Sequence, residues 1–223
     1  MNDNKETSKA AFYSLLLTVI PWLIHITDTL FSFDLKGFGL NPLNWIGLRG
    51  IFTLPFLHDS WDHLMSNTFA LFLLMFGLFL FYKRDAWKIL IYLCLISGLL
   101  TWFMGRSNSI HIGASGLVYA LAAFHFVSGL IKKVPQQLAF SLLVAFLYGG
   151  FIWAFFPTLY QHTSISWEGH LSGLLTGIAL ALYFRKIGPK PPVYSFMEED
   201  DEEEDIEDTY WKIPEQHNES HEK

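Results

Sequence analysis

Three features of the sequence predict an all-α polytopic membrane protein with six transmembrane helices. They are long apolar runs, short polar breaks between the runs, and basic residues gathered on alternate breaks. Apolar residues make up 52% and aromatic residues 17% of the 223 positions. That share is only slightly above the soluble average, so it is the concentration into runs that decides the class. Backbone N–H and C=O groups in hydrocarbon must bond within their own segment or in a closed barrel. The runs are too long and continuous for barrel strands and show no alternation, so all should be helices.

Taken in order, residues 1–10 are polar and charged and form a cytoplasmic N-terminal segment. The first span, near 11–31, has no small-residue cleavage site after a short apolar core and is expected to be retained. Residues 32–62 make a connection of 31 residues, long for a helix–helix link. Phe33, Phe38, Trp45, Ile51, Phe52, Phe56 and Trp61 make it apolar enough to fold in the membrane interface. Further spans are expected near 63–82, 86–105, 115–131, 137–156 and 168–185, so that 11–190 is one membrane domain. Residues 191–223 carry the run 198-EEDDEEEDIED-208, which cannot build a core and is expected to be a solvated, disordered cytoplasmic tail.

With alternating spans, Lys5, Lys9, Lys83, Arg84, Lys88, Lys132, Lys133, Arg185, Lys186 and Lys190 share one side, and Lys36, Arg49 and Arg106 lie opposite. The positive-inside rule therefore places both termini in the cytoplasm, with 32–62, 106–114 and 157–167 facing outward. The expected location is the plasma (inner) membrane. The net charge of −6 arises mainly from the tail and gives no reason to expect a nucleic-acid partner. The single cysteine, Cys94, lies in an apolar run and excludes an internal disulfide; it is expected to face lipid or to be packed.

Polar residues inside hydrocarbon are costly, so those present are candidates for function. His63 and Asn67 lie four apart on one face of span 2, Ser115 begins span 4 with Tyr119 one turn below, and His170 lies on span 6 with Gly173 and Gly177. His63, Asn67, Ser115 and His170 share one depth in the outer part of the membrane. Each has a plain explanation: a lone histidine near a helix end is more often an interfacial or helix-bonding residue than a catalyst, and Gly116, Ala120, Ala123, Gly173 and Gly177 suit close helix packing. His25, His111, His125 and His162 are left with that plain explanation. Packing does not account for the joint placement of the other four.

Chemistry does account for it. A serine hydroxyl needs a base to take its proton, and His170 is the candidate base for Ser115. Gly113 and Gly116, on either side of Ser115, allow strained backbone and close approach of a substrate chain. The start of a helix presents free N–H groups to a developing oxyanion; the Ser115 N–H is one candidate donor, with His63 and Asn67 as side-chain donors.

With these residues in place, the chain resembles the rhomboid family of intramembrane serine proteases, a six-helix fold with its nucleophile opening the fourth helix and its base on the sixth. The family's patterns appear here as 58-HDSWDHLMSN-67, 113-GASG-116 and 169-GHLSGLLTG-177, and the resemblance covers most of residues 11–185. It implies that Ser115 is the nucleophile and His170 its partner in a dyad, with Glu168 not assigned to a triad. It further implies that His63 and Asn67 complete the oxyanion hole, that Gly113 is the first glycine of the nucleophile motif, that Tyr119 packs against the histidine, and that His58 is a structural histidine. The first loop departs from the family: where many members carry a Trp–Arg pair, this chain has 48-LRGIFTLPFLH-58.

The expected activity is therefore serine endopeptidase, cleaving transmembrane protein substrates in or near their membrane segment, at a site opening to the outer face. No metal or cofactor is implied. The expected partners are those substrates and the lipid bilayer; nothing in the sequence specifies an oligomeric state. One alternative is a catalytically inactive rhomboid-like protein that binds or escorts membrane clients, although such relatives typically lack the serine or the histidine. A small transporter would favour binding groups near mid-bilayer and repeated halves, neither of which the sequence has.

Overall fold

A computed structural model describes residues 2–107, 109–147 and 166–191. The later part of the expected 137–156 span, nearly all of the 157–167 connection with His162, and the acidic residues from 192 onward lie outside them. The chain divides into two units, Met1–Pro191 and Pro192–Lys223, and every described helix belongs to the first.

Six helices longer than one turn occur among the described residues: α1 (Asn2–Phe31), α2 (Trp61–Tyr82), α3 (Ala86–Met104), α4 (Ser115–Lys132), α5 (Pro135–Leu147) and α6 (Trp167–Tyr183). No strand occurs among the described residues. Three stretches, Asn4–Phe31, Trp61–Met104 and Ser115–Lys132, are long and apolar enough to cross a bilayer. The protein is a helical membrane bundle.

The ends of the helices differ from expectation where local chemistry extends them. α1 begins at Asn2 rather than near residue 11, because Lys9 pairs with Glu6 one turn earlier at 2.8 Å and the Ser8 hydroxyl bonds the Asn4 carbonyl. At 30 residues it is roughly 45 Å long, more than the hydrocarbon needs, so its polar first turns can stand clear of lipid. α2 starts at Trp61 because the Ser60 hydroxyl accepts the His63 N–H, an N-terminal cap. α5 opens on Pro135, whose missing N–H costs nothing in a first turn.

Several hydroxyls inside the helices are satisfied locally. Ser14, Thr18, Ser97, Thr101 and Thr176 each donate to the carbonyl four residues earlier, which leaves no hydroxyl of this set facing hydrocarbon unbonded.

Twelve of the 18 residues of α4 are buried, which makes it the central helix. Leu121, Phe124 and His125 are wholly enclosed, against Leu74 and Leu78 of α2 and Leu93 of α3. Helix association in lipid draws on close van der Waals contact rather than on expulsion of water, so small residues matter most. A Cβ on Gly173 of α6 would collide with the Gly116 carbonyl oxygen of α4, and one on Gly177 with the Ala120 carbonyl oxygen. Gly173 and Gly177 therefore set how closely α4 and α6 approach.

The 32–60 connection is folded into short turns: Leu35–Phe38, Ile46–Arg49 and Leu54–Phe56 as 3-10 turns and Gly50–Thr53 as one α-turn. Leu40 is its anchor, wholly buried and paired with His111 through two backbone hydrogen bonds of 2.8 and 2.9 Å. The Gly113 N–H donates to the Leu54 carbonyl at 2.8 Å. The loop is thus fastened to the chain that leads into α4, while Trp45 and Phe52 stand exposed on it.

Candidate active site

Ser115 is the first residue of α4, half-buried, and the two residues before it are held in place by the loop and by α2. Gly113 has φ +110°, a conformation that side chains avoid, and a Cβ there would lie 2.6 Å from the His63 ring. Only glycine lets the chain pass under that imidazole. Ala114 donates its N–H to His58 Nε2 at 3.4 Å.

His170 enters from α6, one turn after the Ser166 cap. Its Nε2 lies 2.9 Å from Ser115 Oγ, a hydrogen bond between residues 55 apart in sequence. The Tyr119 ring, one turn along α4 from Ser115, stacks on the His170 imidazole with 4.4 Å between centroids and 26° between planes. At Gly116 a Cβ would lie 3.2 Å from the Gly169 carbonyl oxygen, so the glycine after Ser115 also lets the first turn of α6 come close.

His63 and Asn67 are on the adjacent face of α2. His63 Nδ1 is 2.8 Å from Asp59 Oδ1, and its ring covers Gly113. Burial alone would raise the Asp59 carboxyl, but the His63 hydrogen bond and charge outweigh it and hold it below its usual range. Asn67 is 3% exposed; its amide nitrogen is 3.1 Å from the His63 carbonyl and 3.4 Å from His58 Nε2. Both amide hydrogens therefore face protein acceptors, and donation to a substrate oxygen requires the amide to release one of them. Burial, with the like charges of His63 and His25, pushes His58 down to about 4. A neutral His58 presents one lone pair at Nε2, which the Ala114 N–H and the Asn67 amide share at 3.4 Å each.

A second layer was not foreseen from the sequence. His111, given there only the plain reading of an interfacial or helix-bonding residue, is buried and shares hydrogen bonds through Nδ1 with Ser166 Oγ and through Nε2 with Ser109 Oγ, the latter at 2.8 Å. The same Ser166 hydroxyl accepts the Gly169 N–H at 3.2 Å, so His111 steadies the cap of the helix that carries His170. Glu168, 1% exposed, forms an ion pair with Arg106 in the loop before α4. Burial pushes His111 down, with the Glu168 carboxylate opposing and the Arg106 charge adding to the shift. The sequence signal available was the serine three positions before Gly169, a cap pattern.

The Rhomboid domain family matches residues 47–187. An uncharacterized protein of Mycobacterium tuberculosis is 36% identical over 173 residues, covering 75% of this chain and 72% of the relative. An uncharacterized protein of Mycobacterium leprae is 32% identical over 173 residues, covering 75% and 68%. The rhomboid-like protein 11, chloroplastic, of Arabidopsis thaliana is 25% identical over 209 residues, covering 82% and 69%.

Proposed function

The chain belongs to the rhomboid family, and on that premise we propose that it is an intramembrane serine endopeptidase with a Ser115–His170 dyad. The single observation that carries this reading is the 2.9 Å contact between Ser115 Oγ and His170 Nε2. At that distance the imidazole can take the hydroxyl proton as Oγ forms a bond to a peptide carbonyl carbon. The negative charge on the carbonyl oxygen is met by the Ser115 N–H at the helix start and by His63 and Asn67. His170 then gives its proton to the departing amine nitrogen as the C–N bond breaks. A water molecule, deprotonated by the same imidazole, hydrolyses the acyl ester and restores Ser115.

The Asp59 carboxylate, 2.8 Å from His63 Nδ1, fixes the ring with Nε2 beside Gly113. The tight contact of α4 with α6 supports a dyad held without a third acidic member, since Tyr119 fixes the plane of the imidazole. The proposed substrates are transmembrane proteins cut in or near their membrane segment. The proposed setting is the inner membrane, with both termini cytoplasmic and the site opening outward, resting on the distribution of basic residues.

The test is labelling of purified protein with a fluorophosphonate probe, followed by cleavage of a model transmembrane substrate. Labelling and cleavage are expected for the native chain and absent in Ser115→Ala; His170→Ala should lose at least about 1,000-fold in rate. A folded native protein that is neither labelled nor active would instead be a rhomboid-like protein that binds clients.

A further inference from the structure

At the end of α4 opposite Ser115 the bundle buries a cation. The helix has 18 residues, roughly 27 Å, so Lys132 lies near the other boundary of the membrane from the serine. The residue is 8% exposed. Nζ donates to the Tyr82 hydroxyl at 2.8 Å and to the Ile187 carbonyl, and it lies 4.4 Å from the Tyr82 ring centroid. Gln137 Nε2 also donates to the Tyr82 hydroxyl, at 2.9 Å. An ammonium has three hydrogens, and two are accounted for here.

Beside Lys132 is a cavity of about 360 Å³, on whose rim stand the exposed side chains of Arg185, Lys186 and Lys190. Among the described residues, no carboxylate forms an ion pair with any of these four cations. The wall is a shaped one. Gly188 has φ +102°, and a Cβ on it would lie 2.5 Å from the Tyr82 ring and 3.1 Å from Lys132 Nζ, so only glycine closes the chain over the ammonium.

Basic residues placed only to orient a membrane protein stay exposed, as the three on the rim are. Lys132 does not; its partners, the Tyr82 hydroxyl and ring and the Ile187 carbonyl, are all neutral, so an anion beside it would supply the counter-charge that these lack. The surroundings show the kind of anion. Ile131 lines the cavity, and Leu130, Leu182 and Tyr183 stand exposed close by in sequence, an apolar approach that suits acyl chains.

We propose that this cavity binds the phosphate of an anionic phospholipid headgroup, from the leaflet at the end of the bundle opposite Ser115. Lys132 meets the phosphate with its remaining hydrogen from the floor, while Arg185, Lys186 and Lys190 supply the charge that separates an anionic headgroup from a zwitterionic one.

The experiment is native mass spectrometry of the full chain in neutral detergent, titrated with phosphatidylglycerol and phosphatidylcholine of identical acyl chains. Phosphatidylglycerol is expected to bind about tenfold more tightly or better, since each nearby cation favours an anionic lipid. The double variant R185Q/K190Q, altered only at exposed positions, should lose that preference and keep its thermal midpoint. Lys132→Met should lose it too and Lys132→Arg should retain more of it; if the methionine variant does not fold, the exposed pair still decides. Equal binding of the two lipids to the native chain, or an undiminished preference in R185Q/K190Q, overturns the proposal. So does stabilisation by millimolar inorganic phosphate or glycerol phosphate equal to that by phosphatidylglycerol, which would make the cavity a site for free phosphate.

Discussion

The Tyr119 ring lies against the His170 imidazole, 4.4 Å between centroids and 26° from parallel. That contact confines the imidazole to the plane in which Nε2 faces Ser115 Oγ. Replacing Tyr119 with Phe preserves the ring and should leave kcat within about threefold. Tyr119→Ala frees the imidazole and should lower kcat by roughly 10- to 100-fold, as misplacement of about 1 Å does elsewhere. Equal rates for the two variants, measured on folded protein, would separate Tyr119 from the positioning of His170.

His63 and Asn67 provide a second expectation. If they donate to the oxyanion, His63→Ala and Asn67→Ala should each slow turnover by something on the order of 10- to 1,000-fold while Ser115 is still labelled by fluorophosphonate, more slowly. Asn67 also bonds His63 and approaches His58, so its loss should lower the thermal midpoint as well. Lowered midpoints with unchanged rates in both variants would reduce the pair to packing.

Gly173 faces the Gly116 carbonyl oxygen with no room for a Cβ. Gly173→Val should therefore push α6 from α4, lengthen the Ser115–His170 contact, and cost activity and stability together. A loss of some 1–3 kcal/mol is the usual scale for overpacking. A Gly173→Val protein with native midpoint and native rate would contradict the packing described for these helices.

His58 makes a prediction about acid. Its imidazole is held down to about 4, chiefly by burial, whereas an unfolded histidine titrates near about 6.5. Between those values the unfolded chain takes up the proton first, so the contribution of His58 to stability is complete above about pH 6.5 and is lost as pH falls toward 4. Thermal midpoints in detergent should fall over that window, and His58→Gln, though less stable at neutral pH, should show a shallower fall. Parallel curves for the two proteins would remove His58 as a source of the acid sensitivity.

Much of the architecture is determined by the sequence alone, because hydrocarbon imposes a strong rule on backbone. Runs such as 63–82 and 86–105 have no way to satisfy their N–H and C=O groups except as helices, so helix number and approximate ends follow from composition. The residue types of a serine and histidine pair, with small residues facing one another on the fourth and sixth helices, are equally local signals. What only the tertiary structure decided is which groups meet and how each polar atom is spent. The Ser115–His170 contact joins residues 55 apart, and it exists because Gly116 and Gly173 leave no side chain between α4 and α6. His111 joins the cap of α6, and Arg106 pairs with a buried Glu168, through loops whose paths no periodicity describes. Lys132 is one basic residue among several in the sequence; it is buried because Gly188 turns the chain back over it. Helices follow from local backbone chemistry in lipid, whereas partners across the bundle depend on close packing between segments distant in sequence.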